Sequence, residues 1–218
     1  MRVTGSDLGV RLGGRVVLSG IGFDWRGPGI VGVTGPNGAG KTTLLKLLAA
    51  LLRPGRGTLG WELGGRLLAA REVRARVGFA GPELGLYEDL GALENLAFLA
   101  RARGFPWSDA DGEAWLERIG LTGRGHERLA SYSSGMKQRV KLAFALSGRP
   151  PLVLLDEPGS NLDAAGRTLA RELVEEAARE SLVVVATNDE QEARWGAVRL
   201  DLMPLPVAAG RGTAAAAR

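Results

Sequence analysis

The stretch Gly35-Pro36-Asn37-Gly38-Ala39-Gly40-Lys41-Thr42, reading GPNGAGKT, decides how the rest of the chain is read. It fits the phosphate-loop pattern GxxxxGK[ST], and its flanks fall in the required order. Ile30, Val31, Gly32, Val33 and Thr34 form the apolar, β-branched run of a buried strand, and Thr43, Leu44, Leu45, Lys46, Leu47 and Leu48 read as a helix. Gly35, Gly38 and Gly40 let the backbone curl so that successive N–H groups point inward, and the helix start adds its partial positive charge. In such a loop Lys41 reaches the β- and γ-phosphates and Thr42 places its hydroxyl on Mg²⁺. The candidate ligand is a nucleoside triphosphate, contacted by Gly35, Pro36, Asn37, Gly38, Ala39, Gly40, Lys41, Thr42 and Thr43. A plain glycine-rich turn at a helix start is the competing reading, and the flanks weigh against it.

The chain has 218 residues, enough for one domain with a substantial core and too short for two full nucleotide-binding domains. Its 45% hydrophobic and 24% charged content is ordinary for a globular protein. No apolar run approaches the roughly 20 residues of a membrane span; the longest, Leu44 to Leu52, is interrupted by Lys46. Arg2 is followed by polar and glycine residues, so no secretory signal is expected. The absence of cysteine excludes disulfides and thiolate metal sites and fits the cytoplasm. The net charge is +4. The positive groups are mostly arginines spread along the chain, without a basic block interleaved with aromatics, so a solvated surface is favoured over a nucleic-acid groove.

Away from the loop, Leu8 to Leu12, Val16 to Leu18, Ile21 to Trp25 and Ile30 to Val33 read as short strands, with Gly13-Gly14 as a hairpin turn. The helix after the phosphate loop is expected to stop near Leu52, before Pro54-Gly55, and Thr58 to Leu63 to return as a strand to the first sheet. Between about 83 and 148 the pattern turns helical. Leu93, Leu96, Ala97 and Ala100 share a face, Gly104-Phe105-Pro106 ends that helix, and Ser108 caps the next, which closes at Gly120. Leu152 to Leu155 and Leu182 to Ala186 are continuous apolar runs of the kind found in parallel strands buried on both faces, with a helix over Glu172 to Glu180 between them. The tail 203–218 has little to pack.

Asp156 and Glu157 follow a buried strand at its C-terminal end, where ligands collect in open α/β sheets. Asp156 would orient Mg²⁺, and Glu157 would accept a proton from the water attacking the γ-phosphate. Two acids beginning a solvated loop is the alternative. Tyr132-Ser133-Ser134-Gly135-Met136-Lys137-Gln138 opens an amphipathic helix whose hydroxyls and free N–H groups read equally as a second anion site or as ordinary capping.

GPNGAGKT, YSSGMKQ, LVLLDEP and the SNLD of Ser160 to Asp163, in this order, resemble the nucleotide-binding subunit of an ATP-binding cassette (ABC) transporter over about residues 5 to 202. The resemblance implies an α/β phosphate-loop NTPase with a mainly parallel core sheet, an N-terminal antiparallel β subdomain and an inserted helical subdomain, as one domain over 1–202. It implies an Mg²⁺-dependent ATPase that sandwiches ATP between two subunits, with Ser133, Ser134 and Gly135 facing the nucleotide of a partner chain, as a homodimer or heterodimer. Asp163 would lie near the opposite site. A separate transmembrane permease would be met by the helical insertion, which places the protein at the cytoplasmic face of the membrane. YSSGMKQ looks closest to ATPases of small exporters, and the short chain with LYEDLGALENL to the haem-exporter-like group.

Three positions depart from the family pattern. Leu12 stands where an aromatic residue stacks on adenine, so base selectivity is expected to fall unless Trp25 or another ring substitutes. Pro82 aligns with a Mg²⁺-contacting Gln, leaving water or Glu83 to complete the shell. Asn188, in Thr187-Asn188-Asp189, replaces the switch histidine; it can donate a hydrogen bond to the γ-phosphate but cannot carry a proton. The sole histidine, His126, reads as incidental. With Lys41, Thr42, Asp156 and Glu157 in place, slow hydrolysis is expected; an ATP-gated dimerisation module and a soluble ABC ATPase unconnected with transport are the alternatives.

Overall fold

The computed structural model describes residues 1–205. The tail expected over 203–218 therefore lies, from 206 onward, outside the described residues. In chain order the first elements are β1 (Arg2–Leu12), β2 (Arg15–Arg26), β3 (Gly29–Thr34), α1 (Lys41–Leu48), β4 (Arg56–Leu63), β5 (Arg66–Leu67), α2 (Ala70–Arg76) and β6 (Val77–Ala80). Then come α3 (Ala92–Arg103), α4 (Asp109–Arg118), α5 (Ser134–Leu146), β7 (Leu152–Asp156), α6 (Ala164–Ala177), β8 (Leu182–Thr187), α7 (Glu190–Ala193) and β9 (Val198–Asp201).

Every residue of β7 and β8 is buried, and the two-residue period of a strand sorts them between two faces. Val153, Leu155, Val183 and Val185 pack with the helices α3 to α6. Their neighbours Leu152, Leu154, Leu182, Val184 and Ala186 pack with Leu44, Leu45, Leu47 and Leu48 of α1. Covering on both faces is what permits an all-parallel sheet. Its order is β6-β7-β8-β3-β9. A second, antiparallel sheet, β2-β1-β4-β5, closes over α1 from the other side through Val3, Val10, Leu18 and Trp25.

The run Ile30 to Val33 is β3 as expected, whereas the three short runs before it belong to two long strands, β1 and β2, because register shifts between Gly5 and Leu8 and between Leu8 and Val10 absorb the irregularities without breaking the ladder. Gly13 and Gly14, at φ 55° and 80°, form the two-residue turn that joins them. Helix α1 stops at Leu48 rather than near Leu52. Ala50 takes a left-handed φ of 56°, its N–H reaches Leu47 O, and Leu51 N–H reaches Lys46 O, the Schellman closure, here with alanine in place of glycine. Helix α6 begins at Ala164 instead of Glu172, since Asp163 caps it by accepting from Gly166 N–H at 2.7 Å. The stops and caps expected at Gly104 and Ser108 are present. Four short elements, α2, β6, α7 and β9, have too few residues to display a period.

Candidate nucleotide site

The strand β3 delivers the chain to Gly35, and α1 carries it away from Gly40. Gly35, Gly38 and Gly40 have φ of 144°, 82° and 96°, so the loop needs residues without a Cβ. At Gly40 a Cβ would also stand 3.1 Å from Val17 O. No side chain caps α1 and its first turn holds no acid, so its leading amide groups are left for an anion. Lys41, only 7% exposed, bends back to donate from Nζ to Gly35 O at 2.8 Å. Its ammonium lies 3.6 Å from Glu157 Oε1, and the Thr42 hydroxyl donates to Asp156 Oδ2 at 2.5 Å. The glycine loop and the twin acids therefore meet at one corner, formed where the C-terminal ends of β3 and β7 lie one strand apart.

The donor set fits Mg²⁺. A hydroxyl and a carboxylate are hard oxygen ligands, and this metal commonly takes one or two protein oxygens and completes its shell with phosphate and water. Asp156 is buried, which pushes its carboxyl upward; the Thr42 hydroxyl opposes the shift, the Glu157 charge adds to it, Lys41 opposes it and Glu83 adds to it. Glu157 has a left-handed φ of 52°, and its Oε2 accepts from the Thr187 hydroxyl at 3.2 Å and from Asn188 N–H at 3.4 Å.

Sequence reasoning left several neighbours of this corner unassigned. Gln138, part of the quoted YSSGMKQ run, donates from Nε2 to Glu157 O at 3.3 Å and Pro158 O at 3.0 Å. Glu192, on α7, is buried and accepts from Gly159 N–H at 2.9 Å. Burial raises its carboxyl above the ordinary 4.5, with the Thr187 hydroxyl opposing. An unfolded chain releases this proton near the ordinary value while the folded one holds it to higher pH, so ionisation erodes stability as pH rises through that window. The non-titrating Glu192→Gln variant is accordingly expected to gain in Tm relative to the parent as pH rises above the ordinary carboxyl value of 4.5; a difference independent of pH would refute the penalty.

Ser133, Ser134 and Gly135 do not join the glycine loop within this chain. Ser133 Oγ accepts from Met136 N–H at 3.2 Å, an ordinary cap of α5, and a Cβ on Gly135 would meet Asn161 O at 2.8 Å. The SNLD turn thus rests directly on the start of α5. Asn188 is brought to the loop: its Nδ2 donates to Asn37 Oδ1 at 3.0 Å. Trp25 does not substitute for the ring missing at Leu12. It is 5% exposed and stacked on Phe23 at 4.0 Å in the core, whereas Leu12 is exposed at the end of β1. Pro82 is exposed just past β6, and Glu83 is tied to Lys46 of α1 at 2.6 Å, so its carboxylate acts on Asp156 only through charge. His126 sits exposed in the loop before the 3₁₀ turn Leu129–Ser131.

Residues 18–160 match the sequence profile described as ABC transporter. The cytochrome c biogenesis ATP-binding export protein CcmA 2 of Cupriavidus metallidurans is 40% identical over 201 residues, covering 90% of this chain and 92% of that protein. The ABC transporter ATP-binding protein NatA of Bacillus subtilis is 33% identical, covering 75% and 68%. The daunorubicin resistance ATP-binding protein DrrA3 of Streptomyces coeruleorubidus is 38% identical over 72% of this chain and half (50%) of its own length. Among solved structures, an ATP-binding subunit of an ABC transporter superposes with a TM-score of 0.80 at 27% identity, over 94% of this chain and 88% of that one. An ATP-binding cassette dimer holding ADP and Pi superposes at 0.81 and 24% identity, over 93% and 96%, and shares the fold. The phosphate loop, the buried strand ending in twin acids and this breadth of likeness agree: the chain belongs to the ABC transporter family, as one of its ATP-binding subunits.

Proposed function

We propose that this chain hydrolyses ATP with Mg²⁺ to drive export through a separate membrane permease, working as a pair of subunits at the cytoplasmic face. The observation that carries the reading is the meeting of Lys41 with Glu157 at 3.6 Å and of Thr42 with Asp156 at 2.5 Å. The backbone of Gly35 to Thr43 and the Lys41 ammonium hold the β- and γ-phosphates. Thr42 and Asp156 hold Mg²⁺, which when bound neutralises phosphate charge. Glu157 takes the proton from water as its oxygen bonds to the γ-phosphorus and the bond to the bridging oxygen breaks, releasing ADP. Ser133, Ser134 and Gly135 serve the nucleotide of the partner subunit, and Asn188 turns its amide from Asn37 to the γ-phosphate. The export direction is supported by the likeness to CcmA 2, an ATP-binding export protein, and the small-exporter group by the near-full-length match to the same relative.

Two measurements test this. Phosphate release by the purified protein is expected to vanish on chelation of Mg²⁺ and return on its addition, and one polytopic membrane protein is expected to copurify from washed membranes. Recovery on DNA or ribosomes would reverse the assignment to transport. A second reading, an ATP-gated dimerisation module with little turnover, is favoured by Asn188, which cannot carry a proton. It predicts ATP-induced dimers without phosphate release.

The exposed Leu12 bears on nucleotide choice. A ring there would add about 0.5–1.5 kcal/mol of stacking. Leu12→Tyr is therefore expected to tighten ATP by about 2- to 12-fold, by the same stacking estimate. Equal affinities in variant and parent would place the base elsewhere.

A further inference from the structure

Glu192 is a carboxylate that the mechanism above does not use, yet it is only 5% exposed. Its Oε1 accepts from Gly159 N–H at 2.9 Å, and its Oε2 is buried with no partner. The Thr187 hydroxyl lies near enough to favour the charged form, but it donates to Glu157 instead. Among the described residues no Lys or Arg acts on Glu192; its charged neighbours are Glu157 and Asp189. A buried, half-satisfied carboxyl is costly.

What Glu192 touches is informative. Gly159 stands two residues after Glu157, in a turn where Glu157 and Asn161 both adopt left-handed φ, of 52° and 62°. Gln138 grips the same turn from α5 through the carbonyls of Glu157 and Pro158. On the other side, the Glu157 carboxylate is bonded by Thr187 and by the amide of Asn188, and α7 with Glu192 follows directly. A methyl on Gly159 would overlap Glu192 Oε1, so the two residues specify each other.

We propose that Glu192 is a positioning residue for Glu157: by holding Gly159 N–H it ties the turn after β7 to the Asn188 segment and sets the Glu157 carboxylate against the attacking water. The inference rests on the reading of Glu157 as the proton acceptor. Glu192 acts through the backbone and touches neither nucleotide nor metal, so turnover depends on it and nucleotide affinity does not.

The test measures kcat, KM, ATP affinity and Tm for Glu192→Ala, Glu192→Gln, Gly159→Ala and the Gly159→Ala/Glu192→Ala pair, beside the parent and Glu157→Gln. A misplacement of a reacting group by about 1 Å can cost on the order of 100-fold. Glu192→Ala is expected to lower kcat by at least about tenfold on that ground, with KM and ATP affinity unchanged. Glu192→Gln keeps an acceptor for Gly159 N–H and should restore most of the rate. Gly159→Ala, which displaces the carboxylate, should reproduce the loss, and the pair should be no worse than either single change, because shortening Glu192 makes room for the methyl. Parental kcat in Glu192→Ala, or effects that multiply in the pair, would overturn the inference while leaving Glu157 as the acceptor. A parent that releases no more phosphate than Glu157→Gln would remove both.

Discussion

Glu157→Gln is expected to lower phosphate release at saturating ATP by about 10²- to 10⁴-fold, the span removed with a general base, while ATP still binds. The substitution is isosteric. A Gln oxygen keeps an acceptor for the Thr187 hydroxyl and the Asn188 N–H, which hold the carboxylate at 3.2 and 3.4 Å, so the side chain should stay in place. Lost are the charge proposed to accept the proton and the attraction across 3.6 Å to Lys41. The Glu157 charge also raises the Asp156 carboxyl, so neutralising it returns Asp156 toward the ordinary carboxylate range and does not weaken the metal corner. The variant should therefore accumulate with ATP, not ADP, bound. Phosphate release and the identity of the retained nucleotide check this together. A residual rate within a few-fold of the parent would move the proton acceptor to another group.

Lys41→Ala is expected to weaken ATP binding by about 10- to 150-fold, from the roughly 1.5–3 kcal/mol of a hydrogen bond to a charged group, with a smaller loss for ADP. The ammonium has three neighbours to satisfy. It donates to Gly35 O at 2.8 Å, which closes the loop on itself, and it offsets the charges of Glu157 and, at longer range, Asp156. Without it the charges of Asp156 and Glu157 confront an incoming triphosphate unopposed by the lysine. Lys41→Arg is not conservative here, because a planar guanidinium does not fit a position that is 7% exposed. Calorimetric titration with ATP and ADP checks the prediction; equal affinities in variant and parent would mean that the lysine serves the loop and not the phosphates.

Much of the fold was legible because its signals are local. The Gly13-Gly14 turn, the stop at Gly104 and the cap at Ser108 depend on the φ and side-chain reach of single residues. The unbroken apolar runs of β7 and β8 declared their burial on both faces. The misjudged ends have equally particular causes. Ala50 closes α1 in a conformation that alanine rarely adopts, so the apolar run to Leu52 suggested a longer helix. The start of α6 is hidden in the sequence because Ala164 and Ala165 carry no amphipathic signal and the capping Asp163 is also the last residue of the family's SNLD motif.

The sequence alone determined the phosphate cradle, since its backbone donors, lysine and threonine lie within eight consecutive residues whose φ preferences and helix start are properties of the chain itself. Tertiary structure decided which distant groups complete it. Thr42 meets Asp156 across 114 residues, and Gly159 meets Glu192 across 33. Those distances are fixed by the register of parallel strands and by side-chain packing on both faces of the sheet, which no short pattern encodes. The same packing withdrew Trp25 into the core and tied Glu83 to Lys46, two outcomes that depend on neighbours far away in the chain.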